Sequence, residues 1–239
     1  MATLPTAKAP GQRIEFGDAL LDAARAVDTR LVKERLAAFE RIHKAYRSAT
    51  TKVEQAWQRL HRQQQQVAEA DVAQDESAEK LASALAGDGL PRTNPFKKLG
   101  FDAPSKLIKL GYEKEARQLL KLVKKVTAGS EQFSKMSQSA ARAVEKAAQT
   151  VLKAITPVST LEKTYRAALV QRDALAQQWE TAFAAVKRGV KAAEDEGAAG
   201  LFASLFESTA ARLGIQRAAR PKASTAPAAV DPVEELADA

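Results

Sequence analysis

Residues 18–86, DALLDAARAVDTRLVKERLAAFERIHKAYRSATTKVEQAWQRLHRQQQQVAEADVAQDESAEKLASALA, run without a proline or a glycine and carry charge along their whole length. At about 1.5 Å per residue, one helix of that extent would reach roughly 100 Å, beyond the span of a compact domain of this size. The apolar positions decide what kind of helix it is. From Phe39 they recur at spacings of three and four: Phe39, Ile42, Tyr46, Ala49, Val53, Ala56, Leu60, then Val67 and Ala70. That is a heptad register, the pattern of a helix that packs lengthwise against others. Upstream, Leu20, Ala24, Val27, Leu31 and Ala38 continue the seam one residue out of step, as expected from the drift of a straight helix or from a stutter. The seam thins at Gln63–Gln66 and again at Gln74 and Ser77.

Working outward, residues 1–17 are rich in Pro, Gly and Ala and read as a disordered arm, with Asp18 as N-cap of the first helix. Residues 87–104 are broken by proline and glycine and read as a loop. A second helix is expected over 105–155, with a seam of Tyr112, Ala116, Leu119, Val123, Val126, Ser130, Phe133, Ser137, Ala140, Val144, Ala147, Val151 and Ala154. Gly129-Ser130 resembles a stop signal, but the 3–4 phase crosses it, so the reading is one continuous helix kinked there. Thr156-Pro157 ends it. Ser159 to Glu162 forms a capping box that opens a third helix over 159–196, seamed by Leu161, Tyr165, Ala168, Leu175, Trp179, Ala182 and Val186. Gly197 and Gly200 bracket a hinge within residues 197–214, followed by a short apolar helix from Leu201 to Leu213; residues 215–239 form a disordered tail. The expected fold is all-α: an elongated antiparallel three-helix bundle or coiled coil, running up, down and up, with disordered N- and C-terminal tails.

Composition narrows the chemistry. The chain has no cysteine and two histidines, His43 and His61, so thiolate chemistry and a zinc centre are not expected. No phosphate-binding loop or dinucleotide fingerprint occurs, and no carboxylate falls on a seam position where burial would tune it for proton transfer. A non-enzymatic protein without cofactor or metal is the expectation. The N-terminus lacks the apolar core of a secretory signal, and no run of 18 apolar residues spans a membrane, which makes the cytoplasm the default with a peripheral membrane location open.

The net charge of +8 is uneven, and residues 105–155 alone carry +7. If residues 86 and 105 flank a tight hairpin, residue x of the first helix lies beside residue 191 − x of the second. Glu69, Asp71, Asp75, Glu76 and Glu79 would then meet Lys109–Lys125 and set the register. The basic residues left over, Arg25, Arg30, Lys33, Arg41, Lys44, Arg47, Lys52, Lys135, Arg142, Lys146 and Lys153, would form a surface for an anionic partner, or simply a solvated face.

Two apolar elements join them. Phe96, Lys97, Lys98, Leu99 and Phe101 sit at the loop tip, fit for insertion at a lipid interface, for docking onto an acidic partner, or for plugging the bundle end. Leu201, Phe202, Leu205 and Phe206 share one helical face, fit for an interfacial membrane helix or a partner groove, or for docking against the bundle or across a dimer. The function that follows is an elongated scaffold, as a homodimer, binding an anionic membrane surface. The alternatives are a coiled-coil adaptor with an acidic protein partner, and a non-specific nucleic-acid binder. In length, helix count and basic balance the chain resembles the membrane-curving BAR modules, a likeness of architecture that no residue motif carries.

Overall fold

The computed structural model describes residues 9–129, 131–207 and 209, and among them every regular element is helical. The principal helices are α1 (Pro10–Arg25), α2 (Lys33–Gly87), α3 (Pro104–Leu107), α4 (Tyr112–Ala128), α5 (Lys135–Ile155) and α6 (Val158–Asp195). The chain divides into two compact units, one from Val32 to Gly189 and one made of the residues on either side.

The long opening helix is interrupted. Asp28 is the reason: its Oδ1 accepts the backbone N–H of Arg30 at 3.1 Å, and its carboxylate grips the Arg30 guanidinium at 2.7 Å. A short Asp side chain that bonds the backbone two residues on offers an alternative to the helical ladder, and the chain takes it. The one-residue slip in the seam therefore marks a break and not drift. Nor is the arm before Asp18 irregular throughout. Pro10 starts α1, where its missing N–H costs nothing, and Phe16 and Gly17 are buried. Residues 1–8 lie outside the described residues.

In the larger unit, α2 lies lengthwise against α5 and then against α6. Four cross-helix hydrogen bonds set the register. Asp88 Oδ2 accepts from Ser134 N (3.1 Å), and Gln63 Nε2 donates to the Ala154 carbonyl (2.8 Å). Trp179 Nε1 donates to His43 Nδ1 (3.0 Å), and the Arg35 guanidinium donates to the Ala185 carbonyl (3.1 Å). The paired numbers add to between 217 and 222 along the whole length, so α5 and α6 form one strand antiparallel to α2.

This corrects the expected up-down-up order. Pro157 does not turn the chain back. Thr156 keeps helical angles (φ −48°, ψ −46°), its N–H and Oγ1 both donate to the Leu152 carbonyl, and Leu161 N–H resumes the ladder at Pro157 O. Proline removes one donor and disturbs the carbonyls before it. The side chains of Thr156 and Gln63 supply bonds at that point, and the helix passes through. Ser159 accordingly lies inside α6 and not at its cap.

The second expected helix breaks twice. Gly111 adopts φ +79° with ψ 148°, a conformation open to glycine, and ends a short α3 and 3-10 segment before α4. At Gly129 the chain does stop. The Ser134 hydroxyl accepts the Ser137 N–H at 3.2 Å as a new N-cap, and α5 folds back along α4. At this end α2, α4 and α5 pack together around Leu81, Leu85, Phe96, Leu119, Leu122, Val126, Val144 and Val151. Full burial of each such side chain contributes about 1.5–3 kcal/mol.

In the smaller unit, α1 packs with a single π-helical turn, Ala203–Glu207. Phe16, Leu20, Leu201, Leu205 and Phe206 are buried in it. The tail from 215, and Leu213 with it, lie outside the described residues.

Candidate functional site

From Lys33 to Arg62, α2 carries eight Lys or Arg against three Glu, and every one of those cations is exposed. The cause is the heptad. Phe39, Tyr46, Val53 and Leu60 hold one buried position, and Ala49 and Ala56 the other. The cations fall on the remaining, outward positions. The strand alongside, residues 157–189 of the Pro157 turn and α6, adds Lys163, Arg166, Arg172, Lys187 and Arg188 against Glu162, Asp173 and Glu180. The excess on both helices has the same sign.

What holds these two helices together is aromatic. Phe39 packs edge-on to Trp179 with ring centroids 5.4 Å apart, and Trp179 stacks on Phe183 at 5.2 Å. His43 is 2 % exposed, and its Nδ1 accepts from the indole, which places the ring proton on Nε2. Near Arg35, buried Gly189 leaves the room that a side chain would fill: a Cβ there would lie 2.5 Å from Arg35 Cδ. The glycine weakens the helix by up to about 1 kcal/mol but lets the Arg35 stem cross α6 to the Ala185 carbonyl.

The structure separates several residues that the hairpin register had grouped. Lys33, Arg41, Lys44, Arg47 and Lys52 lie along the two-helix stretch, with Lys44 also paired to Glu40 at 2.7 Å. Lys135, Arg142, Lys146 and Lys153 are exposed too, but in the observed register they lie beside the acidic half of α2. Arg25 and Arg30 belong to the smaller unit and pair locally with Asp22 and Asp28. The expected single basic surface thus reduces, in the larger unit, to the first half of α2 with α6.

Of the tip loop, Phe96 is fully buried in the core of the three-helix end, with Leu99 and Phe101 packed against it. Asn94 shapes the loop by accepting the Phe96 N–H at 3.1 Å, and Lys125 holds it with a 2.7 Å bond to the Leu99 carbonyl. Lys97 and Lys98 remain in solvent. The loop is a plug. The anchor face is occupied as well: Leu201, Leu205 and Phe206 are buried within the smaller unit, while half-buried Phe202 packs at a tilt against Phe206 and donates its N–H to Glu194.

One group escaped the sequence reading. Glu115 is 1 % exposed and faces Asp71 and Asp75 of α2, with one oxygen of each residue within 4.8 Å of the others. Burial, then the hydrogen bond and charge of Asp75 and the charge of Asp71, push its carboxyl up to about 8. Burial and Asp75 raise Asp71 as well. The signal was present in the chain. Glu115, Leu119, Leu122 and Val126 make a second buried stripe beside Ala116, Leu119, Val123 and Val126, and a wider stripe would have included the glutamate. Among the described residues, no helix is long and apolar enough to cross a membrane. Compared with family models, curated proteins and solved structures, the chain matches none.

Proposed function

We propose that this chain is a non-enzymatic helical scaffold whose basic two-helix stretch, Lys33–Arg62 with the antiparallel part of α6, lies against an anionic membrane surface. The supporting observation is the eight-to-three excess of exposed cations on α2, with a same-signed excess on the helix beside it. Long helices present such charges in a row, where each adds about 1 kcal/mol of attraction to an anionic bilayer close to its surface. A point-like catalytic arrangement is not needed for this. The proposal includes a homodimer: α6 from Val158 to Gln178 has no fully buried residue, and Trp57 and Val170 are exposed, so a second copy would cover apolar surface that one chain leaves half wet.

Co-sedimentation of the full chain with vesicles tests the reading. Vesicles containing phosphatidylserine should pellet the protein at low salt and release it as salt rises, while neutral vesicles should leave it in solution. Binding that is equal on neutral and anionic vesicles would refute it. Tight, steeply salt-dependent binding to random duplex DNA without vesicle binding would make nucleic acid the anionic surface instead. Light scattering decides the dimer.

A further inference from the structure

We propose that Asp71, Asp75 and Glu115, with the side-chain amide of Gln74, bind one hard divalent cation between α2 and α4. Asp71 and Asp75 stand four residues apart on one face of α2, and Glu115 comes from the first turn of α4. One oxygen from each of the three lies within 4.8 Å of the others, a spacing that one ion can bridge. None of the three carboxylates makes an ion pair among the described residues, and Glu115 Oε1, Asp71 Oδ1 and Asp75 Oδ1 are buried without a hydrogen-bond partner.

A cluster of acids alone would not mark a site. Gln74 adds an independent sign. It stands next to Asp75 on α2, is fully buried, and neither its Oε1 nor its Nε2 has a hydrogen-bond partner. Burying an unpaired amide is costly, and cores seldom keep one without use. A cation would take its oxygen as a fourth ligand. The set is all oxygen and carries three negative charges, which suits Ca²⁺, Mg²⁺ or Mn²⁺ and not a thiophilic metal. Asp71 and Asp75 are only half buried, so an ion and its remaining waters have a way in from solvent.

The consequence would be a clasp. A bound ion ties α4 to α2 through ligands from both helices. Isothermal titration calorimetry of the chelator-treated full chain with CaCl₂, MgCl₂ or MnCl₂ tests this. One of the three should bind at one ion per chain. Glu115→Gln should weaken binding at least tenfold, yet melt no lower than the parent in chelator, since it removes an uncompensated carboxyl. No binding of any of the three ions at about 10 mM, or binding unchanged in Glu115→Gln, overturns the proposal. A Glu115→Gln chain that melts lower in chelator overturns it too, because the carboxyl would then be satisfied by protein alone.

Discussion

The two halves of α2 solve the same packing problem differently. Residues 33–62 face one helix, and the contact rests on aromatic rings and a buried indole-to-imidazole hydrogen bond. Residues 63–87 face two helices and bury Leu81 and Leu85 fully, but they also carry Gln74 into the core beside a hidden glutamate. Packing two helices leaves a wide outward surface, and there the chain places cations. Packing three leaves less surface and more interior, and there it places its polar misfits. The difference teaches that the number of neighbours a helix has determines where its charge can go.

The largest effect should come from the crowded half. Leu119→Ala, in a fully buried position among α2, α4 and α5, is expected to cost about 2–5 kcal/mol in chemical denaturation. A loss below about 1 kcal/mol would mean that this core is looser than its burial implies.

Next is the pH response of Glu115. Its folded value lies above the ordinary 4.5, so the fold favours the protonated form. The stability this group lends is complete below about pH 4.5 and is lost as pH rises to about 8. In chelator, the unfolding free energy should fall over that window with a slope of at most about 1.4 kcal/mol per pH unit from this group. Glu115→Gln should flatten that part of the curve; an unchanged slope would assign it elsewhere.

In the two-helix half, Trp179→Phe removes the indole donor to His43 Nδ1 and should cost about 1–3 kcal/mol. Trp57→Phe, on a side chain 48 % exposed, should stay within about 0.5 kcal/mol. Equal losses would show that burial does not separate the two tryptophans. Hydrogen exchange should run faster over 158–178 than over α5, because only α5 buries residues on a continuous stripe. The smallest change in stability belongs to the combined variant Arg41→Glu, Lys52→Glu and Arg59→Glu, within about 0.5 kcal/mol per site. That variant should nevertheless abolish pelleting with anionic vesicles.

The first half of α2 was readable because each of its seam residues needs only a 3–4 spacing, and Phe39 through Leu60 are buried or half buried as that spacing requires. The direction of α6 was not readable. Proline before a capping sequence means a turn only if nothing rescues the disturbed carbonyls. The rescue at Pro157 comes partly from Gln63, far away in the chain, a residue that looked like a weakness in the seam. Glu115 was missed for a related reason: a stripe drawn one residue wide excludes a carboxylate that a three-helix junction, unlike a two-helix contact, encloses. In both cases the deciding fact was a neighbour, and the sequence of one helix does not name its neighbours.

The continuation of α5 into α6 past Pro157 has a consequence for how this molecule tolerates change in length. Because α2 and its opposing strand keep step from Arg35–Ala185 to Asp88–Ser134, they behave as matched rulers. A single-residue deletion in either would put one end out of step with its partner. Removing seven residues from each, at the same level, would shorten the pair by about 10 Å and leave both ends in phase. Lengthening and shortening are thus open to this helix pair only in paired, heptad-sized steps.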